Sequence, residues 1–225
     1  MFLEKPIIAI NFKTYKESLG DNALEIAKAI EEINPHLKAK CLPVVVPQTV
    51  DIRLIAKETT IPVFAQHGEA FDYGKNTGYT TIKSLKNAGV TGMLINHSEH
   101  KLALNKIEET IIAAKKEDLY SICCVDTIDQ ARAVACFSPT YIALEPPELI
   151  GTDVSIAQKD PEIIEKVVKK IKFIQPNAHV LIGAGIKTRK DVEICIENGA
   201  SGVLLASGVT KAKDIPTVLF DFFGR

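Results

Sequence analysis

The sequence predicts a (β/α)8 barrel, an α/β fold of eight parallel strands with surrounding helices, as one domain over residues 1-225. Short β-branched runs alternate with segments of helical period along the whole chain. Most of these runs are apolar throughout, as expected for strands that are covered on both faces. No linker or change in composition divides the 225 residues, and this length suits one such barrel.

Eight runs match the strand pattern, and eight segments of helical period follow them in alternation. The predicted strands are Pro6–Asn11, Leu42–Val46, Pro62–Gln66, Gly92–Asn96, Ser121–Val125, Tyr141–Glu145, Val180–Gly183 and Gly202–Ala206. The predicted helices are Asn22–Ile33, Val50–Glu58, Thr80–Asn87, Leu104–Glu117, Ile128–Cys136, Pro161–Ile174, Arg189–Asn198 and Ile215–Phe222.

End signals support two of these helices. Asp160 and Pro161 form a plausible N-cap and first-turn proline for the sixth helix. Thr188 is suited to cap the seventh helix, and Gly199 stands just beyond its end.

An open, doubly wound parallel sheet is the alternative architecture. Such a sheet usually has fewer strands and a glycine-rich loop after its first strand. Here the first strand runs into Asn11–Thr14, which contains no glycine. The closed barrel is therefore favoured, and its functional residues are expected where the strands end.

The charge balance limits the kind of partner. The chain has 27 Lys and Arg residues against 28 Asp and Glu residues and no basic tract, so neither nucleic-acid nor membrane-surface binding is expected. The first ten residues are too short for a transmembrane span and lack the layout of a signal peptide. We therefore expect a cytoplasmic protein with a small-molecule ligand.

The cysteines predict free thiols. Their number is odd, no C-x-x-C spacing occurs, and the neighbouring Cys123 and Cys124 would point to opposite faces of a strand. We expect buried, reduced thiols at all five positions. The five are Cys41, Cys123, Cys124, Cys136 and Cys195.

The first strand ends in Asn11 and Lys13, which a period of two places on the same side. Facing into a barrel mouth, an amide and an ammonium group would meet a ligand oxygen. A solvated lysine at a turn is the alternative.

His97 ends the fourth strand and is followed by Ser98, Glu99 and His100. Ser98 could cap a short helix that begins at Glu99, and the field of such a helix would hold His97 neutral. A structural histidine is one alternative. A metal site on His97 and His100 is another, but no third convincing ligand is present, so we expect no metal.

Glu145 ends the sixth strand after a mostly apolar run, which should desolvate its carboxylate and raise its basicity. The segment Pro146–Thr152 has prolines at one end and Gly-Thr at the other, as suits a lid that moves between hinges. A surface loop beside a solvated Glu is the alternative.

Small residues end the last two strands, at Gly183–Ile186 and at Ala206–Gly208. Small side chains let backbone N–H groups approach an anion, and a short helix after the eighth strand would direct its N-terminus there. The pattern indicates phosphate, although tight turns without a ligand would look the same.

Taken in order along the chain, these strand ends closely resemble the triosephosphate isomerase family. The matching segments are Asn11–Lys13, Asn96–Glu99, Glu145–Thr152 and Gly183–Gly185. The resemblance extends from end to end and implies the family's (β/α)8, or TIM, barrel. It also implies interconversion of dihydroxyacetone phosphate and glyceraldehyde 3-phosphate through an enediolate.

The resemblance assigns roles residue by residue. Glu145 corresponds to the base that takes a proton from carbon, and His97 to the electrophile that polarises the carbonyl. Lys13 corresponds to the cation that binds substrate, and Asn11 to its neighbour in that pocket. Glu99 matches a carboxylate thought to support the Lys and the His.

The resemblance also implies a phosphate site and a loop shared between subunits. Thr77, at the tip of the loop after the third strand, would reach into a neighbouring subunit's active site. No cofactor is expected. The positions that match the substrate-binding backbone are Ile150, Gly151, Gly185, Ala206 and Ser207.

The chain departs from the family pattern in several places. It contains no Trp, so Pro147-Glu148 stands where the lid often has one. His100 replaces a common Arg, and Ala206-Ser207 replaces a usual Gly-Gly. The chain is also shorter than the commonest members and resembles the compact archaeal branch, which implies a homo-oligomer with a tetramer favoured over a dimer.

Two other functions remain open on the sequence. Another phosphate-binding barrel enzyme, of amino-acid biosynthesis, would suit the last third of the chain but would not require Lys13, His97 and Glu145. A non-catalytic sugar-phosphate sensor would keep the phosphate site but would not need Glu145.

Overall fold

The computed structural model describes residues 4–37, 41–146, 155–183 and 185–223. The strands are β1 (Ile7–Asn11), β2 (Leu42–Val46), β3 (Phe64–Ala65), β4 (Gly92–Ile95), β5 (Tyr120–Val125), β6 (Tyr141–Leu144), β7 (His179–Ile182) and β8 (Gly202–Leu205). The helices are α1 (Asp21–Leu37), α2 (Ile52–Glu58), α3 (Ile82–Asn87), α4 (Leu104–Lys116), α5 (Ile128–Ala135), α6 (Ile156–Lys159), α7 (Pro161–Ile174), α8 (Arg189–Glu197), α9 (Ser207–Thr210) and α10 (Ile215–Phe223), with a 3-10 helix at Lys16–Ser18.

All eight strands are parallel and follow the order β2-β1-β8-β7-β6-β5-β4-β3. The two ends of this sheet meet at a parallel bridge between Val45 and Val63. There the Val45 N–H donates to the Pro62 carbonyl over 3.1 Å. The eight strands thus form a nearly closed barrel with surrounding helices, and the predicted (β/α)8 barrel is confirmed.

Alternation along the strands separates two cores. Ile8 and Ile10 pack outward against the helices, whereas Ile7 and Ala9 pack inside the barrel. The inner core consists of Ile7, Ala9, Val44, Val46, Phe64, Leu94, Ile122, Cys124, Tyr141, Ala143, Leu181 and Leu204. Because the period is two, the next inward positions at the carboxyl ends of the strands are the first that meet a ligand.

The predicted helix ends agree with the structure. The Thr188 side chain accepts the Asp191 N–H and the Asp191 side chain accepts the Thr188 N–H, which together form a capping box. Gly199, just beyond α8, has φ +87°. Asp160 caps α7 by accepting the Ile163 N–H, and Pro161 stands in its first turn.

Three expectations were wrong. β3 covers only Phe64–Ala65, and Val63 before it forms a single bridge to Val45 instead of extending the strand. No helix begins at Glu99; residues 97–100 form a turn and the next helix starts at Leu104. Cys136 is exposed, because it lies past the last buried turn of α5, whereas the other four cysteines are buried.

Candidate active site

At the end of β1, a hydrogen bond links the Lys13 backbone to the Asn11 side chain. Lys13 has φ +49°, a left-handed conformation that is costly for a residue with a Cβ. Its N–H donates to Asn11 Oδ1 over 2.9 Å, which offsets part of that cost. The lysine side chain is 14% exposed, and its Nζ lies 2.7 Å from Glu99 Oε1. The structure therefore brings Asn11, Lys13 and Glu99 together.

Gln66, directly after β3, is a member of this group that the sequence interpretation missed. Its Nε2 lies 3.0 Å from the Lys13 carbonyl, 3.2 Å from the Val46 carbonyl and 3.3 Å from Asn11 Oδ1. The amide thus joins the ends of β1, β2 and β3. A polar residue that ends an apolar run was the available signal, the same one that selected Asn11.

The turn after β4 is fixed by Asn96, which has φ +61°. Its Nδ2 donates to the Cys124 carbonyl over 2.9 Å, and its Oδ1 accepts the Leu102 N–H at 2.9 Å. Within the turn, the His100 N–H donates to the His97 carbonyl over 2.8 Å. These bonds hold the chain on both sides of His97.

His97 is buried, and its two ring nitrogens have different neighbours. Nδ1 accepts the Glu99 N–H at 3.2 Å, while Glu99 Oε2 lies 3.7 Å away, beyond hydrogen-bonding distance. With Nδ1 acting as acceptor, a neutral ring carries its proton on Nε2. Nε2 faces Glu145 Oε2 across 3.6 Å. One backbone N–H thus occupies Nδ1, without the helix at Glu99 that the sequence predicted.

Glu145 follows β6 and is only 6% exposed. Burial raises the pKa of its carboxyl group, and His97, the Cys124 thiol and Lys13 oppose that rise only in part. Its Oε2 is buried and has no hydrogen-bond partner among the described residues. The carboxylate is therefore a desolvated base with a free lone pair.

Gly183, beside Glu145 at the end of β7, makes room for this side chain. The Gly183 N–H donates to the Leu144 carbonyl over 2.9 Å, which places the two residues on adjacent strand ends. A Cβ at position 183 would overlap Glu145 Cγ and would lie 2.8 Å from Oε1. Any larger residue would displace the carboxylate.

The predicted phosphate-binding positions lie on the loops after β7 and β8. Gly185 has φ +73°, Ala206 is half-buried and Ser207 is exposed at the start of α9. A Cβ at Gly208 would lie 3.6 Å from the Ile186 carbonyl oxygen, so the two loops adjoin. The remaining two predicted positions, Ile150 and Gly151, lie outside the described residues, as does most of the predicted lid.

Thr77 is not joined to this group within one chain. It is exposed, and its hydroxyl has no hydrogen-bond partner in the described part of the chain.

His100 stacks on His67 with ring centroids 4.1 Å apart. Among the described residues no cluster of three or more His, Cys, Asp or Glu side chains could hold a metal ion. No described helix has the length and apolarity needed to cross a bilayer.

The chain is similar to known proteins over most of its length. The model of the family described as "Triosephosphate isomerase" matches residues 6–221. The chain belongs to the triosephosphate isomerase family. Proteins named triosephosphate isomerase are similar along nearly their whole length. That of Methanothermus fervidus is 42% identical (94% of this chain, 95% of the relative) and that of Methanocaldococcus jannaschii 44% (93% and 94%). That of Methanobrevibacter smithii is 42% identical (99% and 100%). The family resemblance seen in the sequence is confirmed, and nothing in the comparisons favours another barrel enzyme or a sensor.

The raised pKa of Glu145 gives a stability prediction. Above the ordinary glutamate pKa of about 4.3, the unfolded carboxyl loses its proton before the folded one, so stability falls as pH rises toward the folded pKa. Above the folded pKa of Glu145, the full free-energy cost of burying its charge is present. Glu145→Gln should therefore raise the melting temperature by roughly 2 °C or more at pH 7.5 and by less near pH 4.

Thermal unfolding followed by circular dichroism at both pH values measures this difference. Glu109→Gln, which changes an exposed carboxylate on α4, is the matched control and should shift little. A Glu145→Gln protein no more stable than wild type at pH 7.5 would contradict the stated cost of burial.

Proposed function

We propose that the chain interconverts dihydroxyacetone phosphate and D-glyceraldehyde 3-phosphate by moving a proton through an enediolate intermediate. Membership of the triosephosphate isomerase family makes it an isomerase. The observation that carries the mechanism is the 3.6 Å approach of His97 Nε2 to Glu145 Oε2. A proton acceptor and a proton donor thus stand on one side of the barrel mouth.

Glu145 takes the proton from the carbon next to the carbonyl group. Abstraction of a weakly acidic C–H proton needs a base whose affinity for protons is increased, and burial supplies this. The unpartnered Oε2 can receive the proton without first breaking a hydrogen bond. The same oxygen then returns the proton to the neighbouring carbon.

His97 acts on the oxygens. With Nδ1 occupied by the Glu99 N–H, the Nε2–H is available to donate to the substrate carbonyl. It polarises that carbonyl and then exchanges protons between the two enediolate oxygens. A neutral donor suits this exchange because its proton affinity is closer to that of the enediolate.

Lys13 stabilises the negative charge of the enediolate, since its ammonium group is little exposed. Glu99 holds Nζ at 2.7 Å, and Asn11 and Gln66 fix the backbone that carries it. This network positions the cation before substrate arrives.

Backbone N–H groups at Gly185, Ala206 and Ser207, with Ile150 and Gly151 by motif, bind the phosphate. A phosphate held away from the reacting carbons orients the substrate without entering the chemistry. No cofactor or metal takes part in the proposed reaction. We propose that residues 1-225 form a single domain that works in the cytoplasm.

We propose that the active form is a homo-oligomer in which Thr77 completes a neighbouring subunit's site. Tyr73 and Tyr79, which flank Thr77 in the loop after β3, are 75% and 56% exposed, and Phe71 is 39% exposed. Large aromatic groups at this density on a polar loop favour burial against a second copy. A tetramer rather than a dimer rests on the resemblance to the compact archaeal branch.

The first test is turnover of glyceraldehyde 3-phosphate in a coupled assay. Wild-type protein should show activity, and Glu145→Gln should lower kcat at least about a thousandfold because a positioned base is lost. Glu109→Gln should keep wild-type activity. An inactive wild type, or a folded Glu145→Gln protein within about tenfold of it, would contradict the proposal.

The second test concerns assembly. Thr77→Arg should reduce the sedimenting mass and lower the activity together, because a long cation cannot enter a pocket that fits a threonine. Thr60→Arg, at an exposed threonine that bonds Glu31, is the matched control. A Thr77→Arg protein unchanged in sedimentation and in activity would exclude the interlocking loop.

A further inference from the structure

Asp191 is a completely buried carboxylate outside the proposed reaction site, in the first turn of α8. Its Oδ2 accepts the Lys187 N–H at 3.0 Å, the Thr188 N–H at 2.9 Å and the Thr188 hydroxyl at 2.9 Å. Its Oδ1 accepts Nε2 of Gln158 at 2.6 Å. Four donors from two separate stretches of chain thus converge on one side chain.

A helix cap accounts for only one of these oxygens. The capping box between Thr188 and Asp191 uses Oδ2 alone. Oδ1 bonds a residue on α6, 33 positions earlier in the chain. A cap would be complete without that bond, so the second oxygen has a separate role, which is to join α6 to the start of α8.

The loop that Asp191 links to α6 is the one that carries Gly185. It runs from Gly183, which adjoins Glu145, through the buried Ile186 to Lys187 and Thr188. Its Ile186 carbonyl lies against Gly208 in α9, so a displacement changes the spacing between Gly185 and Ser207. Ser155, just before α6, is 2% exposed, and its Oγ accepts the Ala157 N–H in the first turn of α6.

We propose that Asp191 is a positioning residue that ties the Gly185 loop to α6 and so fixes the backbone N–H groups that bind the substrate phosphate. The inference rests on the proposed function for the identity of the ligand. Asp191 touches neither substrate nor the reacting atoms. It acts through the loop, so it affects binding of phosphate more than the proton transfer at Glu145.

A carboxylate suits this position better than an amide. Only a carboxylate presents acceptors on both oxygens at once, and here every donor is an N–H or O–H group. Burial raises the pKa of Asp191, but the bonds from Lys187, Gln158 and Thr188 together lower it below its ordinary value. The group is therefore ionised at neutral pH, and its four bonds are charge-assisted.

Gln158→Glu tests the link without disturbing the cap. It replaces the donor that faces Oδ1 with a second carboxylate of the same size and leaves the bonds to Oδ2 in place. At pH 8 we expect KM for glyceraldehyde 3-phosphate and the inhibition constant of inorganic phosphate to rise together by about tenfold, with kcat changed by less than about threefold.

A second variant restores the link. When Gln158→Glu is combined with Asp191→Asn, the new amide at position 191 can donate to the new carboxylate at position 158 while the amide oxygen takes the place of Oδ2. Both constants should then return toward wild type. Gln175→Glu is the matched control, because Gln175 Nε2 also donates to another element, Ser138 on the loop before β6, at 2.7 Å. If Gln158→Glu does not fold, Gln158→Met removes the donor without adding a charge.

Phosphate affinity and isomerase turnover are measured separately, so the two proposals can fail independently. Titration calorimetry measures the affinity for inorganic phosphate, and so the effect on the Gly185 loop, even if wild-type protein shows no isomerase activity. A folded Gln158→Glu or Gln158→Met protein that loses stability while its phosphate affinity and KM stay at wild-type values would overturn the positioning role. So would a loss confined to kcat, or a double variant with no recovery.

Discussion

At the adjacent ends of β6 and β7, the missing side chain of Gly183 leaves the space that the Glu145 side chain fills. Glu145 packs against the bare Cα of Gly183, and a Cβ there would overlap its Cγ, its carboxyl carbon and Oε1. This contact decides where the carboxylate lies and how little water reaches it. The raised pKa, the distance to His97 and the free Oε2 all follow from that placement.

Burying the carboxylate has a free-energy cost that the rest of the site only partly offsets. His97 and Lys13 lower the pKa of Glu145, but each is itself held elsewhere, His97 by the Glu99 N–H and Lys13 by the Glu99 carboxylate. The Glu99 carboxylate therefore competes with Glu145 for Lys13, while the Glu99 N–H occupies His97 Nδ1 and leaves Nε2 facing Glu145. The carboxylate that we propose as the base is thus kept underpartnered, which is unfavourable for stability and would favour taking a proton from carbon.

Much of this arrangement follows from the sequence, because a period of two and the ends of parallel strands are enough to place residues. Asn11 continues the inward series of Ile7 and Ala9, and Glu145 continues that of Tyr141 and Ala143. Thr188 was predicted as a cap because its hydrogen bond is local. These predictions need only neighbours within one strand or one turn.

The features that the sequence did not reveal depend on distant partners. Gln66 is fixed by acceptors on the chain segments at the ends of β1 and β2. Asp191 is bonded by Gln158, which lies on another helix. The helix expected at Glu99 was wrong for the opposite reason. Asn96, in a left-handed conformation, ties the turn to β5 and to Leu102, and these bonds override the local preference for a helix.

The placement of the Glu145 carboxylate by Gly183 is tested by measuring kcat for Gly183→Ala, with folding checked by circular dichroism. An added methyl group of this kind should displace the Glu145 carboxylate and leave the backbone in place, because the atoms it would meet belong to that side chain. Displacement of a catalytic base by about 1 Å can cost on the order of a hundredfold. We expect a folded protein whose kcat falls by about that factor. A folded Gly183→Ala enzyme with kcat within about threefold of wild type would contradict it.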